Sequence, residues 1–176
     1  METEQVLAKI GEMSKAGLIP FEALQALINE HDPIILVNRS IKPVYTDSVK
    51  IKYPEFELSG PTKFDVTKLH SIQIDHVSGD ERYKDLIAKD LLKNCLNLSD
   101  ILAIHSRGDS FFRKHLKCQC LTAWKSIALH RSGCLAVPHL LNLDGLKVSL
   151  NWIHLSHFFV LGSPIILHAN PRDFVA

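Results

Sequence analysis

The sequence has no glycine-rich loop, no long apolar run and almost no net charge, and each absence excludes a class of protein. Its eight glycines are isolated from one another, so the phosphate-binding loop and the dinucleotide fingerprint are both missing. No apolar stretch approaches the length of a membrane span, and we expect no membrane partner. The formal net charge of +1 over 176 residues points to no partner by itself.

Cysteine is also scarce, and its spacing argues against a metal. The four cysteines are Cys95, Cys118, Cys120 and Cys134. Structural zinc sites usually need two residues between paired cysteines, whereas Cys118 and Cys120 have one between them. The first five residues are acidic and polar and lack the layout of a signal peptide. We therefore predict free thiols, a reducing and cytoplasmic location, and neither a metal nor a cofactor.

The apolar periodicity predicts helices in the first part of the chain. Residues 4–16 and 20–29 each carry apolar side chains on one helical face, with Gly17 placed as a C-terminal cap. These two helices predict a hairpin over residues 1–32, either docked on the remainder or standing off as an appendage. Residues 33–176 are predicted to form a single α+β domain.

Residues 31–74 are predicted to contain short strands and no long helix. Four prolines between residues 31 and 61 break any long helix there, although residues 34–37 fit a short buried strand. Residues 69–74 alternate apolar and polar side chains, which predicts a strand with one buried face.

Three central helices follow. The first is predicted over residues 80–94, and the second over 100–106 with Ser99 as its N-cap. Gly108 is predicted to end the second helix, and Asp109 to cap a third.

The last third of the chain changes to a strand period. Residues 118–129 and 134–141 read as strands joined by a turn at residues 131–133, and Asp144-Gly145 is a strong hairpin signal before the alternating residues 146–153. A final short strand over residues 165–167 is predicted to close the sheet. The predicted fold is therefore α+β, with an N-terminal helical pair, central helices and a C-terminal antiparallel β-meander.

Several short stretches of this sequence together carry a family resemblance. They are Gly60-Pro61, Phe64-Asp65-Val66, Cys95-Leu96-Asn97-Leu98-Ser99-Asp100-Ile101, Gly108, Phe112, Trp124-Lys125-Ser126, Val137-Pro138-His139-Leu140 and Val148-Ser149-Leu150-Asn151-Trp152. These stretches resemble a family of short hypothetical prokaryotic proteins. The resemblance covers about residues 43–168 and leaves the N-terminal helical pair outside it. It implies no activity, fold or ligand, and no site residue is carried over from it.

No catalytic constellation is visible. There is no Gly-x-Ser-x-Gly elbow, and Cys118 beside Lys117 is the best candidate for an activated thiol, although buried structural cysteines are far commoner. Asp75 and His76 are neighbours on opposite faces of a strand and form no dyad. Glu55 and Glu57 sit in a proline-rich loop, where we expect them to keep it solvated.

Charge is unevenly distributed along the chain. Residues 1–104 hold 12 Lys and Arg against 16 Asp and Glu, whereas residues 105–176 hold 8 against 3. The cations between residues 105 and 131 are interleaved with aromatic side chains, a composition that can bind phosphate backbones and stack on bases. The candidate polyanion-binding residues are Arg107, Arg113, Lys114, Lys117, Lys125 and Arg131. The alternative is that these bases cover the solvated faces of a helix and a strand.

These observations favour a non-enzymatic protein-interaction module with an unknown protein partner. The N-terminal helical pair is the expected contact region. Binding of nucleic acid or another polyanion through residues 105–131 is the alternative, and an enzyme of another type is the third hypothesis.

Overall fold

The computed structural model describes residues 8, 11–13, 15–17, 20, 23, 28, 30–45, 49–73, 78–116, 120–142, 147–157 and 164–168. These residues form α-helices and antiparallel strands, which confirms the predicted α+β class. The helices are α1 Gly79–Ala88, α2 Leu98–His105 and α3 Gly108–His115. Short 3-10 turns lie at Pro54–Phe56, Val66–Lys68, Leu92–Asn94 and Trp124–Ser126. The strands are β1 Ile34–Leu36, β2 Val49–Ile51, β3 Lys63–Asp65, β4 His70–Ile72, β5 Cys120–Thr122, β6 Ala128–His130, β7 Leu135–Leu141, β8 Ser149–His154 and β9 Ile165–Leu167.

The main sheet has five strands in the order β2-β6-β7-β5, with β8 also paired to β7. On one side of β7, β5 and β6 pair with its two ends, and on the other side β8 pairs along most of its length. β2 comes from the first half of the chain and extends this sheet, so the C-terminal strands do not build it alone. Two small antiparallel pairs, β1 with β3 and β4 with β9, complete the strands of the described residues.

Three sequence predictions about helix ends are wrong, and each has a local cause. α1 ends at Ala88 because Asp90 adopts a positive φ of 54°, which stops the helix before the 3-10 turn at residues 92–94. α2 is capped by Asn97, whose side chain accepts a hydrogen bond from the backbone N–H of Asp100, so Ser99 lies inside the helix. Gly108 begins α3 rather than ending α2, and Asp109 accepts a hydrogen bond from the Val148 N–H instead of capping the helix.

Two strand predictions also need correction. The long run over residues 118–129 is divided into β5 and β6 by the 3-10 turn Trp124–Ser126. The strand at residues 165–167 forms, but it pairs with β4 instead of closing the main sheet.

The apolar side chains collect in two cores. The first core includes Ile35, Phe111 and Phe112 and is covered by α2 and α3. The second includes Leu86 and Trp124 and lies under α1. The chain passes between the cores at residues 95–96 and again at residues 123–124. Polar side chains from both crossings meet there and form the candidate site.

The start of the described domain is attached to α3. Arg107 donates hydrogen bonds to the carbonyl oxygens of Asp32 and Ile34, and His115 contacts the carbonyl of Glu30 at 2.9 Å. The predicted helical pair lies largely outside the described residues, although residues 11–13 are helical. The predicted Asp144-Gly145 turn lies outside them as well. No helix within the described ranges has both the length and the apolar character needed to cross a bilayer.

Candidate functional site

The candidate site is a group of polar side chains buried between the two cores, and we call it the polar cluster. It joins the loop before β2, the loop before β3, the start of α2, the turn before β6 and the end of β9. Its members are Arg39, Tyr45, Glu57, Asn97, Asp100, Lys125, Ser126 and His168. Buried titratable groups of this density are uncommon and mark candidate functional sites.

Asp100 is the centre of the polar cluster. Its side chain is fully buried and forms an ion pair with Arg39 through one carboxylate oxygen. The other oxygen accepts a hydrogen bond from the Asn97 backbone N–H at 2.9 Å and contacts His168 Nε2 at 2.8 Å. Since both oxygens are engaged by protein donors, Asp100 is arranged to hold neighbouring groups in place.

Arg39 connects Asp100 to the surface loop. Its guanidinium donates two hydrogen bonds to the carbonyl oxygen of Pro61, at 2.8 and 3.2 Å, and a third to Asn97 Oδ1 at 3.0 Å. Only 9% of the Arg39 side chain is exposed, so its charge depends on Asp100 for compensation. Arg39 therefore fixes the loop that carries it against the start of α2.

Asn97 secures the loop before β3 from the other side. Its amide nitrogen lies within hydrogen-bonding distance of three carbonyl oxygens, those of Phe56 at 2.9 Å, Ser59 at 3.0 Å and Glu57 at 3.3 Å. Gly60 follows with a φ of +104°, and a Cβ there would stand 3.1 Å from Arg39 Nη2. Glycine is needed at this position both for its backbone conformation and for the space it leaves to Arg39.

Glu57 forms the second half of the cluster, and the sequence-based expectation for it is wrong. Its side chain is fully buried instead of solvated. The Tyr45 hydroxyl donates a hydrogen bond to Glu57 Oε2, and Ser126 also hydrogen-bonds the carboxylate. Burial raises the pKa of Glu57 above its ordinary value, because desolvation outweighs those two hydrogen bonds. Burial raises the pKa of Tyr45 as well, and the neighbouring Glu57 adds to that shift.

Two atoms of the cluster are buried without a hydrogen-bond partner in the described part of the chain. They are Glu57 Oε1 and His168 Nδ1. An orphaned carboxylate oxygen is costly, and a protonated Glu57 would lower that cost. This agrees with the direction of the pKa shift on Glu57.

Lys125 is a buried cation of the polar cluster. Its ammonium donates to the carbonyl of Lys93 at 2.9 Å and lies 5.9 Å from the centre of the Phe56 ring. Burial lowers its pKa, although the nearby Asp100 acts in the opposite direction. Lys125 was a candidate for a polyanion surface, and its burial removes it from any exposed one.

The other predicted cations of the described residues differ in their contacts and exposure. Arg107 is engaged by the carbonyls of Asp32 and Ile34 and stacks on Phe111, with 4.8 Å between its guanidinium carbon and the ring centre. Arg113 and Lys114 are exposed neighbours on α3. Arg131 is exposed in the turn after β6, and Lys117 lies outside the described residues. Among the described candidates, Arg113, Lys114 and Arg131 are therefore the exposed ones.

An exposed apolar loop carries two members of the polar cluster, and we call its residues 36–45 the docking segment. Three of its side chains are strongly exposed: Leu36 by 71%, Ile41 by 63% and Val44 by 96%. In the same segment Val37 is buried, and Arg39 and Tyr45 reach into the polar cluster. The sequence gives no periodic signal for this arrangement, because the segment is neither helix nor strand beyond Leu36.

Thiols and imidazoles do not form a reaction centre in the described ranges. Cys95 and Cys120 are buried cysteines outside any disulfide, Cys134 is an exposed one, and burial raises the pKa of Cys95. Three histidines, His130, His154 and His157, lie in a row with ring centres 5.9 and 5.8 Å apart. Within the described residues, no three His, Cys, Asp or Glu side chains are grouped so as to hold a metal ion. Cys118, the predicted best thiol, lies outside these residues, as do Asp75 and His76.

Comparison with family models, with curated proteins and with solved structures finds no match to this chain. The resemblance to short hypothetical prokaryotic proteins stays a prediction. A functional proposal therefore depends on the geometry alone.

Proposed function

We propose that this chain is a non-enzymatic protein-interaction module that presents the docking segment to a protein partner. The observation that carries the proposal is the exposure of Leu36, Ile41 and Val44 within ten residues. Isolated exposed apolar residues are ordinary, but contiguous ones mark binding surfaces in folded proteins.

The docking segment is held in place and not loosely attached. Val37 is packed in the first core, Arg39 is paired with buried Asp100, and Tyr45 donates to buried Glu57. A turn in which Asn38 accepts hydrogen bonds from the Ser40 backbone and hydroxyl bends the chain between these anchors. Since a loop fixed in its bound shape loses little entropy on association, such anchoring favours affinity.

The charge around the segment indicates the partner's chemistry. Lys42 lies within it, Lys63 pairs with Leu36 across β1 and β3, and both lysines are exposed. No acidic residue occurs between residues 36 and 45. A protein segment with apolar side chains flanked by Asp or Glu would complement this surface.

The polar cluster supports a positioning role better than a catalytic one. Both oxygens of Asp100 are engaged by protein donors, and the Arg39 guanidinium is divided between Pro61, Asn97 and Asp100. Groups so fully hydrogen-bonded are suited to fixing backbone, and the backbone they fix is that of the docking segment.

A photo-crosslinking experiment tests the proposal. A photoreactive amino acid at position 41 or 44 should crosslink to a defined protein, which is then purified and measured against the chain by calorimetry. Ile41→Asp with Val44→Asp should weaken that complex by at least about tenfold, since apolar contact is lost and two like charges meet the acidic partner.

The matched control is Ile87→Asp with Leu129→Asp. These side chains are also exposed, by 47% and 43%, but lie on α1 and β6. The docking segment is refuted as the contact surface if both double variants weaken partner binding equally, or if neither weakens it. A chain lacking residues 1–32 tests the predicted N-terminal helical pair, and unchanged affinity would remove that pair from the proposal.

Binding of a polyanion through residues 105–131 is the second proposal. The exposed neighbours Arg113 and Lys114 support it, whereas the burial of Lys125 reduces the surface available. Filter binding of single-stranded DNA at two salt concentrations separates it from the first, because phosphate contacts make affinity fall steeply with salt. Arg113→Ala with Lys114→Ala should weaken such binding, and an unchanged affinity would sink this alternative.

A further inference from the structure

A cavity of about 420 Å³ lies between the turn Val66–Lys68, the end of α3 and the start of β9. This volume falls at the lower end of the roughly 300–1,000 Å³ typical of small-molecule sites. The cavity is separate from the docking segment and shares no lining residue with the polar cluster. It is lined by Val66, Thr67, Leu69, Ser71, Lys114, His115, Leu116, Pro164 and Ile166.

One side of the cavity is apolar. Val66, Leu116 and Ile166 are buried members of the first core, and Leu69 packs against them. Pro164 continues this wall at the start of β9. Such a wall suits an aliphatic or aromatic body.

The other side carries a cation without a carboxylate partner in the described ranges. Lys114 Nζ lies 2.6 Å from His31 Nδ1 and 3.3 Å from His31 Nε2, and no carboxylate of the described residues forms an ion pair with it. The nearby carboxylate of Asp65 is engaged elsewhere, because it accepts from the Thr67 backbone and hydroxyl and lies 3.8 Å from Lys68. An ammonium at the edge of an apolar cavity favours an anionic group.

Among the neighbouring polar groups, Ser71 is the one that would donate a hydrogen bond to that anion. Ser71 brings a hydroxyl to the cavity from β4. His115 is fixed by its contact with the Glu30 carbonyl and by the Phe111 ring, 4.7 Å away between ring centres. Since a carbonyl only accepts, His115 Nε2 carries the proton in that contact. Thr67 donates its hydroxyl proton to Asp65 and therefore offers only lone pairs to the cavity.

We propose that this cavity binds a small organic acid, with its carboxylate at Lys114 and Ser71 and its apolar body against Leu69, Leu116 and Ile166. A singly charged carboxylate fits better than a phosphate ester, because one lysine balances one negative charge. This site goes beyond the interaction function proposed above and does not depend on it.

Titration of the full chain with benzoate and hexanoate, followed by ¹⁵N–¹H correlation spectra, tests the proposal. Both acids should give saturable shifts at residues 66–71, 114–116 and 165–166, whereas benzamide, which has the same shape without the charge, should bind at least about tenfold more weakly. Phenyl phosphate should also bind more weakly than benzoate.

Lys114→Met should reduce benzoate affinity by at least about tenfold, because it removes the charge and keeps the side-chain length. Lys68→Met is the matched control, since Lys68 is on the adjacent turn, is largely exposed and does not line the cavity. Both lysines are at the surface, so their replacement leaves the fold intact, which the same spectra verify. Absence of saturable shifts with both acids, equal binding of benzamide, or equal loss in the two lysine variants would overturn the proposal.

Discussion

Replacing Arg39 by methionine tests whether the polar cluster anchors the docking segment. The substitution keeps the unbranched chain and removes the guanidinium, with its hydrogen bonds to Pro61 and Asn97 and its ion pair with Asp100. Asp100 is fully buried and would lose the cation that balances it. Leaving one partner of a buried ion pair uncompensated costs about 3–5 kcal/mol.

That loss is a large part of the total stability, which is about 5–15 kcal/mol for a domain. With a urea dependence of about 1–3 kcal/mol per molar, the Arg39→Met midpoint should fall by roughly 1–5 M. Urea unfolding followed by circular dichroism measures this shift. Arg131→Met is the control, because Arg131 is exposed in a turn, and it should change the midpoint little.

A double-mutant cycle separates the ion pair from its surroundings. Arg39→Met combined with Asp100→Asn should be less destabilised than the sum of the two single variants, by about 1–3 kcal/mol. An exposed ion pair contributes at most about 1 kcal/mol. If Arg39→Met lowers the free energy of unfolding by less than that, the reasoning is refuted. Additive single effects would refute it as well.

Two further predictions concern pH. Burial lowers the pKa of His139 to about 4 from an ordinary 6.5. Between these two pH values the unfolded chain binds a proton that the folded chain does not, so the free energy of unfolding falls as the pH drops from 6.5 to 4. In urea unfolding at pH 4 and 7, the fall in the free energy of unfolding between the two pH values should be about 3 kcal/mol smaller for His139→Asn than for the wild type. An equal fall in both proteins would contradict the lowered pKa of His139. The raised pKa of Glu57 has the opposite sign, because the folded state retains a proton that the unfolded chain releases above about 4.5. Wild-type stability relative to Glu57→Gln should therefore decline as the pH rises from 4 to 8, and a difference independent of pH would show that Glu57 is ionised when folded.

The sequence predicts the fold class because its strongest signals are local. The alternation in the last third yields β7 and β8, and the apolar spacing yields α1, α2 and α3. Helix ends are predicted less well, since caps are chosen by tertiary contacts. Asn97 caps α2 while its amide also holds the loop before β3, and the acidic Asp100 three residues later was the local signal that favours it over Ser99.

The candidate site is poorly predicted because its members are far apart in the chain. Arg39 and Asp100 are 61 residues apart, and Asp100 and His168 are 68 apart. Glu57 and Lys125 look solvated in sequence because charged residues seldom are fully buried. The prolines near Glu57 and the glycine at position 60 were the sequence signals for an unusual loop there. Neither predicts that the Arg39 side chain fills the space beside Gly60.

A buried ion pair is an unusual way to hold a loop, and this is informative about the docking segment. Replacing such a pair by apolar residues is often neutral or stabilising, so stability alone does not explain Arg39 and Asp100. A guanidinium bonded to Pro61, Asn97 and Asp100 does fix direction, which an apolar side chain in the same space would not. Under the proposed function, that directional hold would keep the exposed apolar side chains beside Arg39 available to the partner. The double variant of Arg39 and Asp100 distinguishes the two roles: if it regains stability but binds the partner more weakly, the ion pair positions the docking segment, and if it regains both, the pair serves folding alone.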